Sequence, residues 1–320
     1  MIKIHVPLTN AELRLQYCGS LNKRSLDLGN VEFLRRFNPQ GFIGELQHII
    51  LNGIESHPKL ELTADPHTAD YIFFDYRHPE VLGPCKLLYP SKTVLLDYND
   101  HPDHIYPHDF HLYFKRSVVD KKKLTLKKYS RDIHPLGFAL KNEYVALPII
   151  PLSERSIDVS VFFSTEFNLS GTYRTRVAQF LKERFKFSGY TVKIGTIGET
   201  GAAGRNLIQK EYVEQMLNSK LIITCNPDNW EGDWRLFEAL GCGALTYVDE
   251  MIDPSPRPFL PDKHLLYYNR NNLEELYENI NKYLVRLSAA QKIASRGHRH
   301  VLHHHTLKAR MEEVLSKLGV

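Results

Sequence analysis

The stretch NWEGDWRLFEALGCGALTYVDE, residues 229–250, joins a polar and aromatic segment to an apolar one. Asp233 suits the start of a helix, because an N-cap carboxylate accepts hydrogen bonds from the first main-chain N–H groups. Gly241 and Gly243 would let that helix end tightly, and ALTYVDE then has the apolar character of a buried strand. The stretch therefore predicts the helix-then-strand unit from which parallel α/β sheets are built.

Strand and helix patterns alternate along the rest of the chain as well. Apolar runs with strand character are separated by segments with helical spacing and not by hairpin turns, which predicts parallel sheets joined by crossovers. The strand patterns lie at residues 2–8, 60–64, 70–76, 93–100, 109–119, 157–165, 190–197, 221–227, 244–250 and 264–269. The helical patterns lie at residues 41–56, 172–186, 209–220, 272–287 and 305–319, and in the helix that begins near Asp233.

A segment with two prolines divides the chain into halves. ALPIIPLSERS, residues 146–156, continues from its prolines into polar residues, which is typical of a linker. We expect an N-terminal domain at 1–151 and a C-terminal domain at 152–320, both α/β, Rossmann-like and doubly wound, with C-terminal helices closing the chain. Because open α/β sheets bind ligands at the carboxyl ends of their strands, two such domains predict a central cleft between them.

The composition is typical of a soluble globular protein, with 42% hydrophobic and 24% charged residues among 320. A formal net charge of +4 is too small to predict a nucleic-acid partner. The four cysteines form no C-x-x-C pair and predict reduced, buried thiols in a reducing compartment. The N-terminus lacks the apolar core of a signal peptide, and no apolar run approaches the ~20 residues that span a bilayer. We expect a cytoplasmic protein without an integral membrane segment.

Arg235 and Glu238 stand three residues apart in the predicted helix and therefore share a face. One interpretation is a surface ion pair, which would contribute little to stability. The other is a polar wall that faces a nucleotide, because a guanidinium suits phosphate oxygens and a carboxylate accepts hydrogen bonds from ribose hydroxyls. The neighbouring Trp230 and Trp234 favour the second interpretation, since a surface pair would not explain them.

The motif GDWRLFEALGCGALTYVDE resembles the donor-site motif of glycosyltransferases with the two-domain GT-B fold, and it is most similar to the exostosin-like and spore-maturation-protein-like branches. SGTYRTRV, EYVEQMLNSKLIITCNP and HHHTLKARMEEVL are similar to further parts of that pattern, so that the likeness covers residues 157–318. HTADYIFFDY and HLYFKRS are more loosely similar to acceptor domains. Many retaining relatives carry a Glu eight residues before the ribose-binding acid, where this chain has Trp230.

The resemblance implies a role for residues along the second half. Glu238 matches the acid that binds the donor ribose, while Arg235 and Arg174 match arginines that neutralise the diphosphate. The tyrosine that leads the preceding helix is Tyr212. We further expect Asn226 and Asp233 to shape the sugar end of the site, and the loop GETGAAGRN, with Thr196 before it in the chain, to lie near the donor base.

Acidic residues at predicted strand ends in the first half are candidates for the catalytic base that inverting transfer requires. LLDYNDHPDH, residues 95–104, is open to three interpretations: a metal site, a loop stabilised by Asx turns, or a base and acceptor loop. The candidate bases are Asp75, Asp97, Asp100 and His101. HRHVLHHHT, residues 298–306, does not have the ligand spacing of a zinc site, which favours a surface or packing role.

The residues and the resemblance together predict an enzyme, a hexosyl- or pentosyltransferase. It would transfer a sugar from a UDP- or GDP-linked donor to a hydroxyl of an oligosaccharide or other glycan acceptor, with inversion. We expect no cofactor and no metal, because arginines would neutralise the leaving diphosphate. The alternative is a protein of the same fold that binds a nucleotide or glycan without catalysis. A Rossmann-type oxidoreductase is disfavoured, since GETGAAGRN lacks the G-x-G-x-x-G fingerprint.

Overall fold

A computed structural model describes residues 1–6, 50, 52–63, 65–76, 89–98, 102–106, 109–120, 125–162, 173–195, 209–226 and 232–320. The side chains of residues 74–76 and 209–211 lie outside this description. The chain divides into two compact units. The first contains Met1–Asp120, Leu126–Gly137 and Leu307–Val320, and the second contains Lys121–Thr125 and Phe138–Thr306.

Strands and helices alternate between residues 157 and 249 as the sequence predicts, whereas the strands between residues 93 and 135 follow one another with no α-helix among the described residues. The strands are β1 Ile2–His5, β2 Leu60–Leu62, β3 Tyr71–Tyr76, β4 Thr93–Asp97, β5 Leu112–Lys115, β6 Val119–Asp120, β7 Thr125–Leu126, β8 His134–Pro135, β9 Ile157–Val161, β10 Val192–Ile194, β11 Ser219–Ile223, β12 Leu245–Asp249 and β13 Leu266–Tyr268. The α-helices are α1 Asn142–Val145, α2 Tyr173–Arg184, α3 Gln209–Leu217, α4 Trp234–Gly241, α5 Leu273–Val285, α6 Leu287–His304 and α7 Leu307–Leu318. Short 3-10 helices cover Pro90–Lys92 and Leu152–Glu154, and residues 52–55 are helical.

The two main sheets share one topology. The first has the strand order β2-β1-β3-β4-β5-β8 and the second has the order β10-β9-β11-β12-β13. Every strand pair within them is parallel. The order therefore reverses beside the first strand of each sheet, which is the doubly wound arrangement that the sequence predicts. Ligands of such sheets bind beside the reversal point, outside the carboxyl ends of the strands.

The unit boundaries differ from the predicted division at 151 and 152. The change from the first unit to the second falls between Gly137 and Phe138, and the last helix α7 belongs to the first unit. The buried Arg310 illustrates the reason, because its Nε donates to the carbonyl oxygen of Gly137 at 3.2 Å. Gly53 is also in close contact with the side chain of Met311. The last helix thus packs on segments of the first unit.

Helix α4 begins and ends where the sequence indicates. The Asp233 carboxylate accepts hydrogen bonds from the main-chain N–H groups of Arg235 and Leu236. Every residue of the helix except Arg235 is buried. Gly243 follows the helix with φ +67°, and a methyl group there would lie 2.7 Å from Ile149. The left-handed backbone and the close contact both require glycine at this position.

Trp234 lies in the core. Its indole is 5% exposed and stacks on the ring of Phe138, with the ring centroids 4.3 Å apart. The interpretation of Trp234 as part of a ligand wall is therefore corrected, because the first turn of α4 packs this side chain inward. Trp230 lies outside the described residues.

Arg155 holds several segments of the second unit together. Its guanidinium is buried and donates to the main-chain carbonyl oxygens of Ser219, Cys242 and Gly243, as well as Ile150, at 2.8 to 3.2 Å. Burial lowers the pKa of Arg155 to about 10, which still leaves the group charged at neutral pH. These hydrogen bonds join the start of β11 to the turn between α4 and β12.

Helix α6 covers residues for which the sequence analysis predicted no helix. Its buried residues, which recur at helical spacing, are Ala290, Ile293, Ala294, Gly297 and Val301. Gly297 permits close packing, since a methyl group there would lie 2.1 Å from the carbonyl oxygen of His264. The helix therefore approaches the chain ahead of β13 so closely that only glycine fits.

The histidines at the end of α6 pack against rings and main chain. His264 stacks on His300 with ring centroids 3.9 Å apart, and His305 stacks on Phe259 at 4.2 Å. The Nε2 atoms of His300 and His305 lie 3.0 and 2.9 Å from the carbonyl oxygen of Arg257. Within the described ranges, no group of three or more His, Cys, Asp or Glu residues is arranged to hold a metal ion. The packing interpretation of this segment fits these contacts.

Two of the four cysteines lie within the described residues. Cys225 and Cys242 are buried and not in disulfides. Burial is the main reason that the pKa of Cys225 rises to about 12 and that the pKa of Cys242 is also raised. Cys18 and Cys85 lie outside the described residues. None of the helices described here is both long and apolar enough to cross a membrane.

Replacement of Arg155 by leucine is expected to destabilise the second unit strongly. Buried carbonyl oxygens would lose their donor, and each such loss costs about 1–3 kcal/mol, so the free energy of unfolding should fall by about 3 kcal/mol or more. Urea denaturation followed by circular dichroism measures this change. Arg286→Leu removes an exposed arginine and should change the value by about 0.5 kcal/mol or less. Equal urea denaturation midpoints for Arg155→Leu and wild type would contradict a stabilising role of the Arg155 hydrogen bonds.

Protonation of His264 is expected to destabilise the fold in acid. Burial lowers the pKa of His264 from 6.5 to about 4, and the nearby positive groups lower it further; these are His300, Lys263, His304 and Arg296. Its Nδ1 accepts a hydrogen bond from the Leu260 N–H at 3.1 Å, which requires that nitrogen to be unprotonated. The unfolded chain therefore binds the proton more readily, and stability is lost as the pH falls from about 6.5 to 4.

The His264→Asn variant tests this pH dependence. Its amide oxygen can replace Nδ1 as the acceptor, but the side chain does not titrate. The loss of melting temperature between pH 7 and pH 5 should be smaller in this variant than in wild type. His303→Asn changes an exposed histidine and serves as the control. Identical losses in wild type and His264→Asn would show that His264 is not responsible.

Candidate functional site

Polar side chains gather at the carboxyl edge of the second sheet. They come from the first turn of α2, from the segment after β11, from the start of α4 and from the ends of β12 and β13. β9 and β11 lie side by side at the point where the strand order reverses. The doubly wound topology therefore brings distant parts of the sequence to the position where such sheets bind ligands.

Asp233 joins two arginines at this edge. Its Oδ2 accepts hydrogen bonds from Nη2 of Arg174 at 2.8 Å and from Nη1 of Arg235 at 2.9 Å. Its Oδ1 accepts the N–H of Arg235, also at 2.9 Å. The side chains of Arg174, Arg235 and Asp233 are 16%, 14% and 8% exposed. One carboxylate thus fixes two guanidinium groups beside the N-terminus of α4.

Arg174 is also fixed from the other side, because its Nε donates to the carbonyl oxygen of Cys225 at 2.7 Å. Burial is the largest influence on its pKa and lowers it, while Asp233 raises it and Arg235 lowers it. The charged form of Arg174 is therefore less stable here than it would be in water. A bound anion would stabilise that charged form, as oppositely charged neighbours do.

Two buried nitrogens at this edge do not donate to any described residue. Nε of Arg235 and Nδ2 of Asn226 are both buried and have no acceptor in the part of the chain that the structure describes. Unsatisfied buried donors cost about 1–3 kcal/mol each. A ligand rich in acceptor oxygens, such as a phosphate, would remove that cost.

Glu238 lies on the same helix and binds Tyr212. The Tyr212 hydroxyl of α3 donates to Oε2 of Glu238 at 2.8 Å, and the Glu238 residue is 2% exposed. Oε1 accepts no hydrogen bond from the residues that the structure describes. Burial is the main cause of the raised pKa of the neighbouring Tyr144, and Glu238 contributes to it. The structure therefore brings together two residues that the resemblance assigns to the donor site.

Asp249 and Arg270 belong to this edge but were not predicted. Oδ1 of Asp249 accepts the N–H of Asn226 at 2.6 Å, and its Oδ2 accepts Nε of Arg270 at 2.5 Å. Burial raises the pKa of Asp249, whereas Arg270 and the Asn226 N–H lower it. The available signal was their position, since Asp249 ends the strand in ALTYVDE and Arg270 directly follows HLLYYN.

Asp97, a candidate base in the first unit, is enclosed. Its Oδ2 accepts the Tyr113 hydroxyl at 2.6 Å and Nζ of Lys115 at 3.1 Å, and the Asp97 and Lys115 side chains have no exposed surface. The pKa of Tyr113 is raised, chiefly by burial and then by Asp97. The register pairs Asp97 with Lys115 across β4 and β5, which explains the ion pair. An acceptor hydroxyl would have to displace these partners to reach Asp97.

The other predicted site residues are only partly described. The main chain of Asp75 lies in β3 and pairs in register with Leu96, but its side chain is outside the described part. Asp100, His101 and Thr196 lie outside the described residues altogether. Their assignments remain predictions.

Comparison with known proteins gives a match over the second half of the chain. Residues 172–316 match a family model described as glycosyl transferase-like, and this region contains the candidate site residues of the second unit described above. Residues 172–316 are therefore similar to glycosyl transferase-like proteins. No curated protein matches the sequence.

Solved structures are similar at low sequence identity. A glycosyltransferase from Rickettsia africae ESF-5 has a TM-score of 0.53 and 12% identity, covering 99% of this chain and 97% of that one. An alpha-glucosyltransferase in complex with UDP and a 13-mer DNA has a TM-score of 0.54 and 10% identity, covering 79% and 80%. The predicted fold class, mixed α/β with the parallel sheets of GT-B glycosyltransferases, is confirmed. The exostosin-like or spore-maturation branch remains a prediction.

Removing the Tyr212 hydroxyl is expected to destabilise the protein through Glu238. In Tyr212→Phe the buried carboxylate loses its donor, so the free energy of unfolding should fall by about 1–3 kcal/mol. In a double-mutant cycle with Glu238→Gln, denaturation should give a coupling energy of about 1 kcal/mol or more. Tyr190→Phe is the matched control, because the Tyr190 side chain is only partly buried. Additive effects of the two substitutions would contradict a direct contact.

Proposed function

We propose that this protein is a glycosyltransferase that transfers a sugar from a nucleoside diphosphate sugar to an acceptor hydroxyl. The observation that carries the proposal is the pair of guanidiniums held by Asp233 at the carboxyl edge of the second sheet. The same edge contains the buried Glu238, and the surrounding residues match a glycosyltransferase-like family model. Diphosphate, ribose and sugar each have a chemically suitable partner in this arrangement.

The leaving group of such a transfer is a nucleoside diphosphate, which gains negative charge as the glycosidic bond breaks. Arg174 and Arg235 are fixed by hydrogen bonds within the protein, and preorganised charges of this kind stabilise a transition state without reorganisation. We propose that they replace the metal ion that other transferases use for the same purpose. The reaction would then need neither metal nor cofactor.

The nucleoside is proposed to be held by Glu238 and by the segment that includes Thr196. Oε1 of Glu238 accepts no hydrogen bond from described residues, so one carboxylate oxygen is available to a ribose hydroxyl. UDP is the first nucleotide to test, because two similar structures were solved with UDP or UDP-glucose, and GDP is the second. A ribose that enters here would lie beside the diphosphate, because Glu238 and Arg235 belong to the same helix.

The acceptor is proposed to be a hydroxyl of an oligosaccharide or other glycan, and the transferred group a hexose or pentose. Inversion would require a base that removes the acceptor proton. Asp75, Asp100 and His101 are preferred to Asp97, because the Asp97 carboxylate is already bound by Lys115 and Tyr113. The exostosin-like resemblance supports inversion.

Calorimetric titration of UDP, GDP, ADP and dTDP into the full chain tests the donor site. We expect one or two of them to bind without magnesium, and Glu238→Gln to weaken binding by about tenfold, because a neutral amide is a weaker acceptor than a carboxylate. Glu278→Gln changes an exposed acid on α5 and is the matched control. The selected nucleotide is then supplied as a panel of its sugar conjugates with glycan acceptors, and release of the nucleoside diphosphate is measured.

The outcomes separate the alternatives. Binding with acceptor-dependent release of the nucleoside diphosphate supports the transferase. Binding without release for any conjugate would favour a protein that holds a nucleotide without catalysis. Absence of binding to all four nucleotides, in a protein shown by circular dichroism to be folded, would refute the proposed function. Binding only with magnesium would refute metal independence alone.

A further inference from the structure

We propose that Arg270 is a third guanidinium of the donor site and contacts the diphosphate directly, with Asp249 as its positioning residue. This inference rests on the proposed function. Arg270 lies outside the motif on which the resemblance depends, and the resemblance assigns no role to Asp249 near the end of that motif. The contacts place the two residues together. One residue separates Arg270 from the end of β13, the last strand of the second sheet. The Arg270 side chain is 10% exposed.

Asp249 fixes Arg270 to the end of the neighbouring strand. Its Oδ2 accepts Nε of Arg270 at 2.5 Å and also contacts Nη2, while its Oδ1 accepts the Asn226 N–H at 2.6 Å. The Asp249 side chain has no exposed surface. A carboxylate held in this way has both oxygens engaged, so it orients the guanidinium and is itself unavailable to a ligand.

Arg270 and Arg174 contact consecutive peptide units. Nη2 of Arg270 donates to the carbonyl oxygen of Asn226 at 3.2 Å, and Nε of Arg174 donates to the carbonyl oxygen of Cys225 at 2.7 Å. These two carbonyl groups follow β11 after one intervening residue, at the edge where sheets of this topology bind ligands. The two guanidiniums therefore approach the same short piece of main chain from different elements.

Tyr173 strengthens the connection between these arginines. The Arg270 guanidinium carbon lies 4.8 Å from the centroid of the Tyr173 ring, and Tyr173 directly precedes Arg174 in α2. Stacking on an aromatic face holds a guanidinium in place while its edge nitrogens remain able to donate. Nη1 of Arg270 donates to no residue in the described ranges, so it can donate to a ligand.

The charge of the cluster suits a multiply charged anion. The three arginines Arg174, Arg235 and Arg270 face two carboxylates, Asp233 and Asp249, which leaves one positive charge within these ion pairs. The Glu238 carboxylate at the same edge offsets that charge, and the exposed guanidinium of Arg176, 5.6 Å from the Tyr173 ring, restores it. Arg270 donates to the carbonyl oxygen of Asn226, and the buried side-chain Nδ2 of Asn226 has no acceptor among the described residues. An excess of charge and of donors favours a diphosphate over an uncharged nucleoside.

The experiment compares phosphate-containing and phosphate-free probes. Inorganic pyrophosphate, the nucleoside diphosphate that binds wild type best and the matching nucleoside are titrated into wild type and Arg270→Ala. We expect Arg270→Ala to weaken the binding of pyrophosphate and of the nucleoside diphosphate by about 10- to 100-fold, since hydrogen bonds between charged groups are among the strongest in proteins. The affinity for the nucleoside should stay within about twofold of wild type.

Further variants separate ligand contact from folding. Arg270→Ala leaves Asp249 buried without its counter-charge, so the double variant Asp249→Asn/Arg270→Ala is measured as well, since it removes both charges. Arg270→Lys keeps the charge without the planar fork and should fall between wild type and Arg270→Ala. Arg286→Ala removes an exposed arginine of the same unit and should match wild type, which controls for net charge.

Two failures can be told apart. If wild type binds pyrophosphate and a nucleoside diphosphate but Arg270→Ala and the double variant bind both equally well, the assignment of Arg270 is overturned and the proposed function stands. If folded wild type binds none of the probes, both are overturned. A loss of nucleoside affinity equal to the loss of diphosphate affinity would also overturn direct phosphate contact, because it would indicate a general distortion of the site.

Discussion

The carboxylate of Asp233 is the interaction on which the candidate site depends. One oxygen accepts the main-chain N–H groups that begin α4, and the other binds the guanidiniums of Arg174 and Arg235. The same group therefore decides where the helix starts and where two positive charges lie. Because the helix N-terminus is itself partly positive, the carboxylate also balances a field that would otherwise repel the arginines. Local folding and ligand electrostatics are thus coupled through one side chain.

The repeating pattern of apolar residues was sufficient to predict the parallel sheets, because strands buried on both faces are continuous apolar runs. It was insufficient for α6, although Ile293, Gly297 and Val301 recur at helical spacing. Small residues and a histidine-rich end conceal that period. The close contact of Gly297 with His264 depends on packing between elements, which no local pattern contains. The place of α7 in the first unit likewise follows from long-range contacts such as that of Arg310.

Site residues within one motif could be predicted, and those joined only by the fold could not. Asp233 and Arg235 are near neighbours in sequence, whereas Asp249 and Arg270 meet because adjacent parallel strands end together. Asp97 illustrates a contact that the sequence did not predict. Its position at a strand end suggests a base, but the strand register brings Lys115 beside it. Trp234 stands between the polar residues Asp233 and Arg235, which suggested a ligand contact, yet its ring stacks on Phe138.

The unsatisfied buried donors at this edge have a cost that a ligand would remove. Buried nitrogens of Arg235 and Asn226 have no acceptor within the described residues, and burial disfavours the charged form of Arg174. Proteins retain such unsatisfied groups where function requires them, because a preorganised donor does not have to reorient when charge develops on the ligand. Asp233 and Asp249 make this arrangement tolerable by pairing with the three guanidiniums, while Nε of Arg235 and Nη1 of Arg270 have no acceptor among the described residues. Partial neutralisation thus keeps the arginines fixed without satisfying them, which is the property that an anion-binding site needs.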